Sequence, residues 1–231
     1  MKILIIDGDV SLSQVMISCL SAENYICEYA NTYRRAQAKI TMYEYDCILL
    51  DLDLPDGDGC KLLEEIKNRD KHEGVIIISA RQSYEDKISA LKRGADDYLT
   101  KPFYIPELSA RIFAVIRRRK YNNSNVIRQD ALSIDLLAKM VYVNETPVPL
   151  TRKEFDLLLY FIGNKNRVLS KQELAEQLSG DIAGMRDDHN VIYAHIKNLK
   201  KKLQKEGAGN HLKTVYATGY KWENSEADQH I

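Results

Sequence analysis

A chain of 231 residues has room for two ordinary domains, each able to bury its own core. Its 33 basic and 33 acidic side chains cancel, which excludes reading a nucleic-acid or membrane partner from whole-chain charge. Cys19, Cys27, Cys47 and Cys60 lack C-x-x-C spacing, which argues against a disulfide framework or zinc ribbon and for reduced thiols. No apolar run is long enough to span a bilayer, and Met1–Asp7 is too short in apolar residues for a signal peptide, so a soluble, cytoplasmic protein is expected.

In chain order, residues 2–118 alternate short apolar runs with amphipathic ones. Strands are expected at Ile3–Ile6, Tyr25–Tyr29, Cys47–Leu50, Val75–Ile78 and Tyr98–Thr100. Helices are expected near 10–21, 33–43, 60–69, 84–93 and 106–119. Repeated strand–helix alternation implies an α/β doubly wound parallel sheet with helices on both faces. Ile76-Ile77-Ile78 is the unbroken β-branched run of a strand covered on both sides.

A polar stretch, residues 119–125, reads as a linker. Beyond it, short strands are expected at Leu132–Ile134 and Met140–Val143, with Asn144-Glu145 turning the chain. Thr151 with Glu154, and Ser170 with Glu173, repeat the capping-box signature of a helix start. A third helix over 188–204 places Ile192, Ile196, Leu199 and Leu203 on one face. Its other face collects Asn190, Tyr193, Lys197, Lys200, Lys201 and Gln204. A hairpin of Leu212–Tyr216 and Tyr220–Trp222 follows, and residues 224–231 read as a disordered tail. Three helices closed by a hairpin make an α+β winged-helix plan over 126–223.

Two regions carry chemistry. Asp7, Asp51, Ser79 and Lys101 each end a strand and converge if the first half is doubly wound, where such sheets place their sites. A solvent-facing Asp51 can act as a nucleophile toward phosphorus. It then needs a cation for the phosphoryl oxygens, with Mg2+ held by carboxylates as the usual answer, and a hydroxyl and an ammonium such as Ser79 and Lys101. Taken singly, Asp7 and Ser79 could instead cap the helices that follow. The second region is basic: from His189 to Lys221 there are seven lysines and one acid, Glu206. Asn190, Tyr193, Lys197, Lys200 and Lys201 would face a major groove, with Lys213, Lys221 and Thr218 on the hairpin.

These residues resemble a known family. Asp51-x-x-x-Pro55-x-x-x-Gly59, Gly94-Ala95-Asp96-Asp97-Tyr98-Leu99-Thr100-Lys101-Pro102-Phe103, Leu150-Thr151-x-Lys153-Glu154-Phe155 and Thr214-Val215-Tyr216-x-x-Gly219-Tyr220 are similar to two-component response regulators of the OmpR/PhoB subfamily. The resemblance implies a receiver domain over 1–118 and a winged-helix DNA-binding domain over 126–223. It makes Asp51 the phosphoacceptor, Ser79 and Tyr98 the switch residues, and Lys101 the phosphoryl contact, with a cis Lys101–Pro102 bond. It implies Mg2+ held through Asp7, Asp51 and the Asp53 carbonyl, a sensor histidine kinase as phosphodonor, promoter DNA repeats as target, and a homodimer. Lys87 with Glu107, and Asp97 with Arg111, are the charges expected to pair across the dimer, whereas Lys92 and Arg118 are both basic. The loop near Ser179–Asp187 is where RNA polymerase would be contacted.

One departure stands out. Gly8 occupies the place of the family's directly metal-binding carboxylate, so Asp7 is expected to reach Mg2+ only through water, leaving Asp51 and the Asp53 carbonyl as direct ligands, with Mg2+ binding weak and Asp9 pointing elsewhere. Two readings follow: Asp51 is still phosphorylated, slowly or with Asp9 recruited, or the receiver works largely without phosphate. The first is preferred because Asp51, Ser79, Tyr98 and Lys101 are all present. A haloacid-dehalogenase-like phosphatase is a distant alternative suggested by Asp51-x-Asp53. It lacks a second acidic pair after the lysine, so no turnover enzyme is expected.

Overall fold

Five short strands, the inner three rich in branched apolar residues, form one parallel sheet in the computed structural model, which describes residues 1–69, 73–179 and 188–223. The chain divides into two compact units, Met1–Asn123 and Ser124–Ile231.

In the first unit the elements are β1 (Lys2–Ile6), α1 (Val10–Ala22), β2 (Ile26–Ala30), α2 (Tyr33–Met42) and β3 (Cys47–Leu50). A small ribbon follows, β4 (Asp53–Leu54) and β5 (Gly57–Asp58), then α3 (Gly59–Lys67), β6 (Gly74–Ser79), α4 (Tyr84–Lys92), β7 (Asp97–Thr100) and α5 (Ile105–Lys120). The sheet order is β2-β1-β3-β6-β7, all parallel. The chain moves outward from β1 to β2 and then crosses back to β3, so the sheet reverses direction between β1 and β3. A crevice opens at such a reversal beyond the strands' C-terminal ends. Every residue of β1, β3 and β6 is buried, which is why these strands run apolar without alternating, Lys2 and Ser79 being buried polar residues at their ends.

Local chemistry sets the helix starts. Asp9, Thr32, Asp58 and Ser83 cap α1, α2, α3 and α4, each accepting from a backbone N–H of the first turn. The alternative that Asp7 and Ser79 serve as caps is therefore set aside, because residues two and four positions later do that work. Gly59 allows α3 to begin directly under the crevice: a Cβ there would lie 2.4 Å from the carbonyl oxygen of Asp51. α5 runs to Lys120, past the expected boundary at 118. Its last turn is held by Arg119 on Asp96 and Lys120 on Asp46.

The second unit opens with β8 (Val126–Gln129), β9 (Leu132–Asp135), β10 (Met140–Val143) and β11 (Thr146–Pro147), an antiparallel sheet in the order β11-β10-β9-β8. Asn144 and Glu145 both have positive φ (47° and 66°), the geometry of a tight two-residue hairpin whose twist matches its strands. Then come α6 (Arg152–Gly163), β12 (Val168–Ser170), α7 (Lys171–Ser179), α8 (Asp188–Lys205), β13 (Leu212–Val215) and β14 (Gly219–Trp222). Both capping boxes form: Glu154 accepts from the Thr151 N–H at 2.7 Å, and Glu173 accepts from the Ser170 N–H at 2.7 Å. β12 joins the hairpin in the order β12-β14-β13. Ile192, Ile196, Leu199 and Leu203 are buried, as the helical spacing requires. Phe161, Leu158, Leu169, Leu174 and Trp222 fill the same unit; such side chains contribute roughly 1.5–3 kcal/mol each when fully buried. Residues 224–231, read from sequence as a tail, lie outside the described residues.

Candidate functional site

The crevice brings together three of the four strand-end residues through one ammonium. Lys101 follows β7 and donates to Asp7 Oδ2 at 2.8 Å and to Asp51 Oδ2 at 2.7 Å. Both carboxylates are nearly buried, Asp7 at 2% exposure and Asp51 at 7%. Burial raises the Asp7 pKa above the ordinary aspartate value, while the bonds to Lys101 and to the Asp9 N–H oppose that rise. Burial works against the Lys101 ammonium, but the hydrogen bonds to Asp51 and Asp7 outweigh it and raise the lysine's pKa. The result is an acid pair held at close range by one shared cation. Lys101–Pro102 is a cis peptide.

The other expected residues sit around this bridge. Ser79 is fully buried at the end of β6, and its Oγ accepts from the Arg81 N–H at 3.2 Å. The Tyr98 hydroxyl donates to the Arg81 carbonyl at 2.9 Å. Asp53 gives its backbone N–H to Asp51 Oδ1 at 3.2 Å, while its side chain turns outward to Arg81. Arg81 thus contacts three of the site's residues. Sequence reasoning passed over it because nothing in its local neighbourhood marks it.

The basic face lies in the second unit. Tyr193, Lys197 and Lys201 are exposed on α8 and Lys200 is half-buried, opposite the buried apolar stripe. The side chain of Asn190 lies outside the described residues. Lys202 is half-buried and turned toward the domain instead, donating to Glu154 Oε2 and to the Pro149 carbonyl, both at 2.8 Å. Lys213 and Thr218 are exposed on the hairpin, and Lys221 pairs with Glu223 at 3.0 Å. Tyr216, at the hairpin tip, is 96% exposed, a large aromatic with nothing to cover it among the described residues. It was not singled out from sequence; its position between a strand and the Ala217-Thr218-Gly219 turn was the available signal.

Comparison with known proteins joins the two regions. Residues 3–113 match the response regulator receiver domain, and residues 145–222 match the transcriptional regulatory protein C-terminal domain. The chain is an OmpR/PhoB-type response regulator. It is 37% identical to the transcriptional regulatory protein PmrA of Pectobacterium parmentieri over 225 residues, covering 95% of this chain and 96% of that one. It is 34% identical to the transcriptional regulatory protein CiaR of Streptococcus pneumoniae over 224 residues, with 95% and 96% covered. A signal receiver domain of a Vibrio parahaemolyticus Luxo repressor protein superposes with a TM-score of 0.51 at 28% identity, covering 53% of this chain and 94% of that one. These matches account for both halves, and they favour neither the phosphatase nor the phosphate-independent reading.

In this regulator the residues that could hold a hydrated magnesium ion are those of the receiver crevice. Asp7 and Asp51 offer two carboxylates whose oxygens each retain a free lone pair, and Asp53 offers a carbonyl. Mg2+ commonly binds through one or two carboxylates and keeps several waters. No cluster of three acids, histidines or cysteines occurs among the described residues, so the donor set is a minimal one. Asp9 does not supplement it, because its carboxylate accepts from the Leu12 N–H at 3.0 Å as the cap of α1. Gly8 is covered by Pro55: a Cβ at Gly8 would lie 3.2 Å from Pro55 Cδ and 3.4 Å from Cγ.

The charges expected to cross a dimer are partly satisfied within one chain. Arg111 donates to Asp97 Oδ2 at 2.8 Å and to Glu107 Oε1 at 2.8 Å. Arg118 donates to the Asp96 carbonyl at 3.3 Å. On the same side of the receiver, Ile88 and Leu91 of α4 are about half exposed, so the face combines apolar surface with these charges. Beyond Ser179, the end of α7, the loop expected to meet RNA polymerase lies outside the described residues. No described helix is long and apolar enough to cross a membrane.

Proposed function

We propose that this response regulator works in the cytoplasm as a phosphorylation-controlled transcription factor, accepting a phosphoryl group from a sensor histidine kinase on Asp51. The observation that carries this reading is the Lys101 ammonium held within 2.8 Å of both Asp7 and Asp51 at the strand ends. In the step proposed, an Asp51 carboxylate oxygen bonds to phosphorus while the donor's bond to phosphorus breaks and the donor leaves with that electron pair. Lys101 lies where negative charge builds on the phosphoryl oxygens and neutralises part of it. Mg2+, held by Asp7, Asp51 and the Asp53 carbonyl, would supply further positive charge to those oxygens when bound.

Phosphorylation turns the Asp51 carboxylate into a dianionic acyl phosphate, a net gain of about one negative charge; the Ser79 hydroxyl at the neighbouring strand end answers it, and Tyr98 follows through the shared Arg81 segment. The switch shifts the population toward a receiver whose α4–β7–α5 face pairs with a second copy, using Lys87, Asp97, Glu107 and Arg111 to set register. Pairing brings two winged-helix units onto repeated promoter half-sites. There α8 lies in the major groove, with Lys197, Lys200 and Lys201 toward phosphates and Tyr193 toward the bases. Tyr216, Lys213 and Thr218 place the hairpin against the flanking backbone. RNA polymerase is the downstream partner, and no catalytic turnover is involved.

Two experiments test the reading. Intact-mass analysis after incubation with acetyl phosphate should show a Mg2+-dependent adduct on wild type that is absent from Asp51→Asn. Phosphate contacts predict that Lys200→Ala/Lys201→Ala weakens promoter binding and lowers the salt dependence by nearly two charges. An unchanged affinity at moderate salt would remove α8 from the DNA interface.

A further inference from the structure

Arg81 is tied to the phosphoacceptor pocket at both ends of its residue. Its backbone N–H donates to Ser79 Oγ at 3.2 Å and its carbonyl accepts from the Tyr98 hydroxyl at 2.9 Å. Its guanidinium reaches across to the neighbouring strand-end loop, where Nη2 and Nε meet Asp53 Oδ1 at 2.5 and 3.2 Å. Asp53 in turn bonds through its N–H to Asp51. The guanidinium also lies 4.0 Å from Asp86 in the first turn of α4. Arg81 lines a shallow cavity of about 440 Å3 with Asp53, Pro55 and Asp58. The ion pair is substantially exposed, 38% for the Arg81 side chain and 54% for that of Asp53, so water and salt weaken it and it can exchange partners.

We infer that Arg81 is a mobile phosphoryl clamp, latched on Asp53 in the resting receiver and transferred to the phosphoryl oxygens once Asp51 is modified. The inference rests on Asp51 being the phosphoacceptor. Turning the Asp51 carboxylate into an acyl phosphate places a dianionic group, a net gain of about one negative charge, in a pocket whose Lys101 is already shared by two carboxylates. A planar guanidinium is suited to hold two phosphoryl oxygens at once, and a dianion competes well with a single half-solvated carboxylate. In that position Arg81 shields phosphorus from water. Hydrolysis requires water oxygen to bond to phosphorus as the bond from phosphorus to the Asp51 oxygen breaks. Asp51 leaves as carboxylate, and both hydrogens go with the dihydrogen phosphate released. The same transfer removes the guanidinium from Asp86 and so reports the pocket's state to α4.

The test uses the two partners against each other. Full-length wild type, Arg81→Ala, Arg81→Lys and Asp53→Asn are loaded with acetyl phosphate and Mg2+, the donor is removed, and the adduct's decay is followed by intact mass. Arg81→Ala should shorten the half-life about fivefold and Arg81→Lys by less, the size expected of a solvent-screened charge contact. Asp53→Asn keeps the backbone carbonyl and frees the arginine, so it should lengthen the half-life by about twofold. A pair that is only a structural tie would move both partners in one direction or neither, and either result overturns the clamp. In wild type the Arg81 Nε–H NMR resonance should shift on phosphorylation; an unchanged resonance also overturns it. Unequal half-lives of opposite sign support it. An adduct whose half-life is equal in all four proteins removes the clamp alone, whereas no adduct on wild type removes the Asp51 reading and the clamp together.

Discussion

At the C-terminal ends of the receiver's strands, Lys101 bridges Asp7 and Asp51 while Arg81 and Asp53 pair in partial contact with water. Toward the other end of the same sheet, Glu28 takes Lys2 at 2.5 Å, Lys39 at 2.8 Å and the Tyr45 hydroxyl at 2.6 Å. Beside it, buried Asp46 accepts from the Lys2 N–H and pairs with Lys120. The Lys2 ammonium also lies over the Tyr43 and Tyr45 rings. Both regions use lysines and carboxylates, yet they differ in reserve. The knot around Glu28 has its charges matched inside the fold, so it can only hold or break. The pocket around Asp51 keeps two acids on one lysine with an exchangeable arginine nearby, so incoming charge can rearrange it. Buried ion pairs packed among several opposite charges serve architecture; under-compensated ones at a crevice serve chemistry.

The contrast can be broken most easily at Glu28. Glu28→Gln should cost roughly 3 kcal/mol of unfolding free energy at pH 7 in a urea titration, because two lysines lose their shared buried anion. A loss under about 1 kcal/mol would mean the knot is as dispensable as a surface pair. The same residue shapes the acid limb of stability. Burial alone would raise the Glu28 pKa, but Lys2, Lys39 and Tyr45 outweigh it and bring it from 4.5 to about 2. A depressed carboxylate stabilises the fold fully above its unfolded value, and that contribution fades as pH falls from 4.5 toward 2. Thermal melts over this window should slope less steeply in Glu28→Gln than in wild type.

Gly8→Asp probes the pocket from the opposite direction. Crowding against Pro55 and repulsion from Asp7 and Asp51 should cost about 1–2 kcal/mol without metal. The added anion should tighten Mg2+ binding about tenfold by calorimetric titration. Unchanged metal affinity would show that position 8 does not face the cation. The smallest effect belongs to Asp51→Asn. Asp51 raises the pKa of its neighbour Asp7 by repulsion, so removing its charge offsets the loss of its bond to Lys101. Unfolding free energy should change by less than about 1 kcal/mol. A larger loss would place Asp51 with the structural charges and erase the contrast.

Much of this arrangement was legible in the sequence because its signals are local. Strand runs such as Ile76-Ile77-Ile78 carry their burial in their composition, and the Thr151–Glu154 and Ser170–Glu173 boxes carry their helix starts in a three-residue spacing. The convergence of Asp7, Asp51 and Lys101 followed once the alternation implied a doubly wound sheet. Short strands were missed where pairing is distant: β12 is three residues long and exists because β14, some fifty positions later, hydrogen-bonds to it. Gly219 shows how close that pairing is, since a Cβ there would fall 2.0 Å from the Leu169 carbonyl oxygen.

By itself, then, the sequence determined the two-domain plan, the helix caps written within one turn, and the strand ends at which Asp7, Asp51, Ser79 and Lys101 stand. Tertiary structure alone decided how equivalent side chains divide their work. Lys202 is drawn inward by Glu154 while Lys201 faces water; Arg111 takes Asp97 and Glu107 in its own chain; Trp222 Nε1 finds Gln129 Oε1 at 3.1 Å. Arg81 meets Asp53 from 28 residues away. The reason is physical. A charge has no fixed role in a sequence, since its partner, burial and solvent access arise only when distant segments are packed together, and those three quantities set what it can do.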